Sequence, residues 1–596
     1  MDSKHLASRL FLAVVVSTLA VYSGALMAGF VWDDVPLVLQ NRTTGSFSNI
    51  WLWFSSDLWA GAGAEGWETG YYRPLMLFSL AVDNLLWEAS APGHHLQSLL
   101  WHLAAITLLF SLLRLLVEPL PALVATSIFA LHPLQSEAVI WIASRNDPMG
   151  AALLLGGVLA LFPESPTRRR IALGFSLVLA SLLTKESGLF CLVMLIGLDF
   201  WRWGRPRNVW RYVAIGLALL VWFVLRSNAN VSAANLGLGE GVGILLERWH
   251  HVVGLYSGLL FLPWPLSSGR TIEYLELPLE SLWFGFIVFF LFLAWAFRRG
   301  RGLAIVGVGF AIVTFAPSLL AIASKGQLGE RYMYLPMVGL CVAVASALPK
   351  GSRSLWALSL LPVYLYQVGA RIPDWADETY LWESALETDP SPYTQAGYGH
   401  MLNRRAWDLE RSALVSESPQ EAQQLNTMSS QFFKDAEALF LRSLDDERPY
   451  RSVCTNVIRI PLRQGRLQVA LENGRYALEQ GCPEPEKSEE FYGLLVSVLA
   501  QNGLWEDVAR YMSQAQGDPM GRGVIVEGAY ALIMQRPDVF CRLSGEQANS
   551  VEYDNAVRGL LAASGSELTG FWGEDGVASY CLAGHVGDEQ GPGDSE

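Results

Sequence analysis

An all-α fold, with a polytopic membrane bundle first and a soluble helical half after it, is what the chain predicts, and three observations predict it. Its 596 residues are 52% hydrophobic and 16% charged, and the apolar residues gather in blocks of about 18 to 25, the length a helix needs to cross hydrocarbon. Short basic or Gly/Pro-containing connections separate those blocks. The charge balance then reverses: residues 372–596 hold 17 Lys+Arg against 36 Asp+Glu, whereas residues 1–371 hold 25 against 20. A membrane half, 1–371, thus precedes an acidic half, and nothing in the balance points to nucleic acid.

The first apolar run, Arg9 to Phe30, spans 22 residues. It reads as an anchor rather than a signal peptide, in spite of Ala25-Leu26-Met27-Ala28, because it is too long for an ordinary signal core. Further spans are predicted near 94–117, 119–133, 137–162, 171–186, 188–201, 207–226, 278–297, 302–323, 332–348 and 353–370. Arg168-Arg169-Arg170, the Arg202 to Arg211 group, Arg298 to Arg301, and Lys350 with Arg353 belong on the inner side. About 11 crossings, with the N-terminus inside and the C-terminus outside, satisfy all of these clusters. The segment 242–265 carries Glu247, Arg248, His250 and His251 and reads as an amphipathic or re-entrant helix on the outer side. Whether it crosses rests on parity alone.

That topology collects polar groups on one face. The first external loop, 31–93, holds Asp33 and Asp34 directly after the first span, then Asp57, Glu68, Tyr71, Tyr72, Arg73 and Asp83, with several tryptophans suited to the headgroup level. Later connections bring His132 and Glu137, then Arg145 and Asp147, then Lys185 and Glu186, then Glu330, Arg331 and Tyr332. Any one such charge can merely end a helix on the wet side. Five at membrane depth, Glu137, Arg145, Asp147, Lys185 and Glu186, instead call for a cavity that they face.

The acidic half is helical throughout. Ala436 and Ala470 occupy the small-residue position of a second helix 34 residues apart, and Val508 follows after 38. Gly465 and Gly503 precede the latter two by five residues, while Pro483 and Pro519 follow to end the helices. An earlier half-repeat runs from Trp382 to Pro390. Degenerate 34-residue repeats over 372–540 would stack into a solenoid with a peptide-holding groove. Residues 412–430 read as an insertion. Residues 541–596 read as a helical segment ending in a disordered acidic tail from 585.

Six stretches in order carry a resemblance: Phe30-Val31-Trp32-Asp33-Asp34, Tyr72-Arg73-Pro74-Leu75, Gly93-His94-His95-Leu96 with His102, His132-Pro133 through Glu137 to Arg145-Asn146-Asp147, Lys185-Glu186-Ser187-Gly188, and Glu330-Arg331-Tyr332-Met333-Tyr334-Leu335-Pro336. In that order they resemble the transmembrane and tetratricopeptide-repeat (TMTC-like) O-mannosyltransferases, members of the GT-C class of lipid-dependent glycosyltransferases. The resemblance implies a GT-C-type bundle followed by an extracytoplasmic repeat domain. It also implies transfer of a sugar, mannose, from a polyprenyl-phosphate lipid to Ser or Thr of a protein held by the repeats, and a catalytic role for Asp33 and Asp34.

Such chemistry needs a carboxylate to take the acceptor hydroxyl's proton and cations to stabilise the departing phosphate. Arg145, Lys185 and Arg331 are the phosphate candidates, arginine ranking first for its bidentate fork. Arg73, His94, His95, His132, Glu137, Asp147, Glu186 and Tyr332 are pocket candidates. Participation of Mg²⁺ or Mn²⁺, with Asp34 as a ligand, is left open, because two adjacent aspartates do not make a ligand set.

Cys191 and Cys341 fall in spans, whereas Cys454, Cys482, Cys541 and Cys581 fall in the outer half, where four cysteines allow three pairings. Asn41-Arg42-Thr43 and Asn230-Val231-Ser232 match a glycosylation triplet. A bacterial inner membrane with a periplasmic repeat domain is the location expected, with the endoplasmic reticulum membrane as the alternative. Two rival functions stand beside the mannosyltransferase: an O-oligosaccharyltransferase using a lipid-diphosphate glycan, and a non-catalytic repeat-bearing membrane scaffold.

Overall fold

The computed structural model describes residues 3–62, 70–229, 231, 238–483 and 488–515, with six further positions between 526 and 562. Glu68, Asn230, Ser232, Pro519, Cys541, Cys581 and the tail from 585 lie outside the described residues. Among the described residues the regular structure is helical, apart from isolated bridge residues such as the pair Thr271 and Gln327. The chain is an all-α membrane protein of two compact units, Met1–Pro390 and Ser391–Glu596. Residues 372–390, expected with the acidic half, thus fold with the first unit.

In the first unit the helices are α1 Ser3–Tyr22, α2 Ile50–Ser55, α3 Pro74–Trp87, α4 Ala91–Leu116, α5 Pro119–Leu131, α6 Ser136–Ile140, α7 Asn146–Leu161, α8 Arg168–Thr184 and α9 Phe190–Trp203. They continue as α10 Val209–Asn228, α11 Leu238–Phe261, α12 Leu279–Lys325, α13 Tyr334–Ala347, α14 Leu361–Arg371 and α15 Glu378–Thr388. The core sits where α4, α5, α7 and α13 meet: Ile106, Leu123, Leu155 and Val338 are fully buried there. Outward faces stay apolar, as on α12, where Ile287, Phe290 and Leu291 are exposed. Lipid rather than water suits such a surface.

Fewer helices are long enough to cross than the hydropathy pattern predicts. Four qualify among the described residues, Lys4–Met27, Ala91–Leu116, Val209–Asn228 and Leu279–Lys325, or five if the pair Pro119–Leu131 and Pro133–Ile140, bent by 54°, counts as one span. The physical reason is breakage. Pro133 cannot donate a helical hydrogen bond, so the run across 119–140 bends there, and the chain leaves α-geometry again at Trp141 and Lys185. The helices that flank these breaks, α5 to α9, are 5 to 17 residues long, short of what a single straight span needs. The 47-residue α12 is itself broken at Arg301, φ 48°, between the two segments predicted as separate spans. Helix α11, the re-entrant candidate, is 24 residues long and packs along α12, with Trp249 against Phe286 and Tyr256 against Phe315.

The second unit consists of helix pairs: α16 Pro392–Val415 with α17 Pro419–Leu444, α18 Cys454–Arg463 with α19 Leu467–Glu479, and α20 Ser488–Gln501 with α21 Trp505–Tyr511. Ser418 caps α17, accepting from the Glu421 N–H, with Pro419 at the first helical position, so residues 412–430 extend a long hairpin rather than interrupt it. Gly465 and Gly503 both adopt φ 71° just past the ends of α18 and α20, a left-handed turn that glycine makes without strain. Ala436, Ala470 and Val508 are fully buried on the second helix of each pair. Cys454 and Cys482 form a disulfide that ties the start of α18 to the end of α19, while Cys191 and Cys341 are buried free thiols.

Candidate active site

One helix start, two 3-10 turns and one bend bring the candidate residues together. Pro74 opens α3, which leaves Arg73 at the cap, its guanidinium 4.2 Å from the centre of the Tyr71 ring. After α8 the chain turns extended at Lys185 and folds back through a short 3-10 turn, Glu186–Leu189. Gly188 permits that hook, because a Cβ there would lie 2.7 Å from the Leu182 backbone nitrogen. A second 3-10 turn, Glu330–Met333, presents Arg331 and Tyr332. The fourth contribution is the bend between α1 and α2, which carries Asp33 and Asp34.

These elements enclose a cavity of about 360 Å³, lined by Asp33, Tyr71, Arg73, Trp141, Asn146, Asp147, Lys185, Glu186, Arg331 and Tyr332 on one side and by Pro317, Ser318, Leu320, Ala321, Ser324 and Lys325 of α12 on the other. Its cations are mostly neutralised by neighbours. Arg73 pairs with Glu186 at 3.3 Å and Lys185 with Asp147 at 2.5 Å. Arg331 pairs with Glu137, which also accepts the Arg331 backbone N–H at 3.0 Å. The Arg331 guanidinium lies 4.8 Å from the Trp141 ring centre and 5.0 Å from that of Tyr332. Glu137 itself is buried behind the arginine and does not line the cavity.

Asp33 and Asp34 part company. Asp33 lines the cavity, and its carboxylate takes no hydrogen bond or ion pair among the described residues. Burial raises it to about 6, against the opposing pull of the Arg331 charge. Asp34 is fully buried and accepts the N–H of Val31 at 3.2 Å and of Ala143 at 2.7 Å. Burial outweighs those bonds and pushes it up to about 8. Of the two, Asp33 is the more readily ionised. The segment is braced from outside as well: Gly29 donates to the Ala376 carbonyl at 2.8 Å, and Trp32, at φ 52°, stacks on Trp141 at 5.1 Å.

Four candidates belong to the framework instead. Arg145 is fully buried, ion-paired to Asp83 at 2.5 Å, and donates to Ser98, Gln97, Ser79 and the His94 carbonyl. Fully buried and off the cavity wall, it presents no donor to a phosphate there. His94 donates to the Ser90 carbonyl and lies 3.1 Å from the Asn84 amide, and His95 donates to the Gly29 carbonyl at 3.3 Å. His132 caps the turn after α5, accepting the Leu134 N–H at 3.3 Å and donating to the Leu260 carbonyl at 3.1 Å. None of the three histidines lines the cavity. The triplet at Asn41 is spent locally too: Asn41 is buried and accepts from both the Thr43 N–H and its hydroxyl.

As a divalent-metal site the aspartate pair is a poor fit. Both Asp34 oxygens face backbone N–H groups, and no three His, Cys, Asp or Glu side chains converge on one point among the described residues. Sequence reading passed over Trp141, Asn146 and Lys325. Trp141 and Asn146 stand within the stretch from His132 to Asp147, and Lys325 opens the connection that leads to Glu330-Arg331-Tyr332.

No family model matches the chain, and no solved structure matches it. Its curated relatives are TMTC-family proteins. Human protein O-mannosyl-transferase TMTC3 is 27% identical over 175 residues, 28% of this chain and 19% of that protein. The Caenorhabditis elegans protein O-mannosyl-transferase F38B6.6 is 22% identical over 408 residues, 64% of this chain and 58% of that protein. Human TMTC4, also named a protein O-mannosyl-transferase, is 23% identical over 458 residues, 63% of this chain and 62% of its own length. The chain spans from about a fifth to under two thirds of the length of these relatives.

Proposed function

We propose that this chain is an integral membrane glycosyltransferase that moves a sugar, mannose, from a polyprenyl-phosphate donor to a Ser or Thr hydroxyl of a protein on the extracytoplasmic side. The names of its relatives support the reaction class. The observation that carries the site assignment is the unpaired Asp33 carboxylate in a cavity shared with Arg73, Lys185 and Arg331. Asp33 accepts the hydroxyl proton, the freed oxygen attacks the anomeric carbon, and the bond from that carbon to the phosphate oxygen breaks. The departing phosphate takes the electron pair, stabilised by Lys185 and Arg331, which their carboxylate partners hold in place. Asp34 acts through the backbone, fixing the bend that aims Asp33. The helix pairs after residue 391 are read as degenerate tetratricopeptide-type repeats that hold the acceptor.

The test is transfer of labelled mannose from a polyprenyl-phosphate mannose to a Ser/Thr peptide by the purified full chain. Wild-type protein should transfer, and Asp33→Asn should lose roughly 10²-fold or more while inserting normally. Wild-type rates in Asp33→Asn would sink the assignment of the base, and a wild-type protein inert toward every polyprenyl-phosphate sugar would sink the reaction.

A further inference from the structure

Seven charged side chains line the cavity: Asp33, Arg73, Asp147, Lys185, Glu186, Lys325 and Arg331. Five of them are tied to carboxylate or cationic partners, Arg73 to Glu186, Lys185 to Asp147, and Arg331 to Glu137 behind the wall. Two are left without an ion pair among the described residues, Asp33 and Lys325. A cation with a carboxylate at 2.5 Å has much of its charge answered already, so a second anion gains less from it than from an unanswered one. The unanswered cation here is Lys325, at the last position of α12 and exposed.

The bland alternative is that Lys325 only complements the carbonyl end of α12, a modest contribution for an exposed lysine. The wall on which it stands argues for more. Pro317, Ser318, Leu320, Ala321 and Ser324 line the same cavity from the turns preceding Lys325, so one face of α12 forms this side of it. That face does not close the cavity off. Leu320 is 57% exposed, and Val313, two turns earlier on the same side, is 41% exposed. A headgroup in the cavity could therefore keep its hydrocarbon chain on the apolar outer surface of α12, with the lysine at the level where headgroup and chain join.

We propose that Lys325 binds the phosphate of the lipid donor, whose isoprenoid chain runs along the Val313 to Leu320 face of α12. The proposal rests on the donor class named above but not on transfer itself, so binding can be measured apart from turnover. Asp33 and Lys325 then divide the labour across one cavity: the acid meets the acceptor hydroxyl, and the lysine anchors the donor phosphate. Arg73, Lys185 and Arg331, held by their partners, shape the wall and meet charge as it develops.

The experiment measures binding of a sugar-free polyprenyl phosphate to the purified full chain in nanodiscs, at two salt concentrations. Loss of one charged contact to phosphate costs roughly 10- to 100-fold in affinity. Lys325→Gln should bind that much more weakly with a shallower salt dependence, Lys325→Arg should stay within a few-fold of wild type, and Lys350→Gln, at the exposed turn after α13, should match wild type. Replacing Val313 and Leu320 by Asn should weaken a long-chain polyprenyl phosphate but leave a short water-soluble prenyl phosphate unchanged. Unchanged affinity in Lys325→Gln would overturn the proposal while leaving the transferase reading intact, whereas failure of the wild-type protein to bind would overturn both the proposal and the donor class it rests on. Binding lost with Lys325, in a wild-type protein that transfers no sugar, would uphold the lysine and overturn the transferase.

Discussion

Arg145 and Asp83 form an ion pair 2.5 Å long with both side chains at 0% exposure. The pair ties the turn before α7 to α3, and the remaining Arg145 donors reach Ser98, Gln97 and the His94 carbonyl on α4. Removing one partner of a buried pair strands the other charge, which costs roughly 3–5 kcal/mol. Arg145→Ala should therefore lower the thermal midpoint sharply, and a joint Arg145→Met and Asp83→Leu replacement should recover part of the loss. An Arg145→Ala protein of wild-type stability that fails to bind donor would return this arginine to the phosphate site.

The two aspartates should separate by phenotype. Asp34→Asn replaces one of two accepting oxygens by an amide nitrogen, so it leaves either the Val31 or the Ala143 N–H unsatisfied, a cost of about 1–3 kcal/mol. Stability falls first and transfer falls with it. Asp33→Asn breaks no hydrogen bond among the described residues and should keep wild-type stability while losing transfer. Because the pair does not present a joint ligand set, EDTA should leave the rate unchanged. Equal stabilities for the two variants, with equal losses to EDTA, would point to a shared ion.

Much of the site was readable before the fold was in hand. Tyr71 to Pro74, Lys185-Glu186 and Glu330-Arg331-Tyr332 are short polar hooks between apolar runs, and such hooks can only turn toward a cavity or toward water. What the pattern could not separate was a charge that faces a ligand from one that faces the framework. Arg145, like Arg331, ranked ahead of Lys185 as a phosphate candidate for its fork, yet its partners Ser79, Asp83, Gln97 and Ser98 lie on two earlier helices, a pairing that no local spacing reveals. Lys325 belongs to no motif, and only the cavity wall that α12 forms sets it apart. The number of crossings drawn from hydropathy exceeds the number of long helices for a different reason: α5, α7, α8, α9, α13 and α14 run only 11 to 17 residues each, and hydropathy does not register where an apolar stretch leaves the α-helix.

Sidedness can be tested at exposed positions. Asp57 is only 3% exposed and makes a poor reporter, whereas Ser48 in the first loop and Glu417 between α16 and α17 are exposed. With Cys541 and Cys581 replaced, Ser48→Cys and Glu417→Cys should react with an impermeant thiol reagent from outside, and Arg205→Cys should react only after permeabilisation. A Cys454–Cys482 disulfide agrees with that expectation, since such bonds persist in oxidising compartments. Labelling of Glu417→Cys only after permeabilisation would overturn the extracytoplasmic placement.

The pH profile follows from Asp33. A base must be ionised to accept a proton, and burial raises this carboxyl to about 6 while the Arg331 charge lowers it. The rate should therefore be low in acid, rise with pH through about 6, and level off above it. Arg331→Gln removes the lowering influence, so the rise should move to higher pH as well as to a lower plateau. Arg331→Lys keeps the charge and should leave the rise where it is, even though loss of the planar fork lowers the rate. The kcat/KM profile of the three proteins separates these contributions. An acid limb that stays in place in Arg331→Gln would mean that the group titrating is not Asp33, and one that vanishes in Asp33→Asn with residual activity intact would mean that it is.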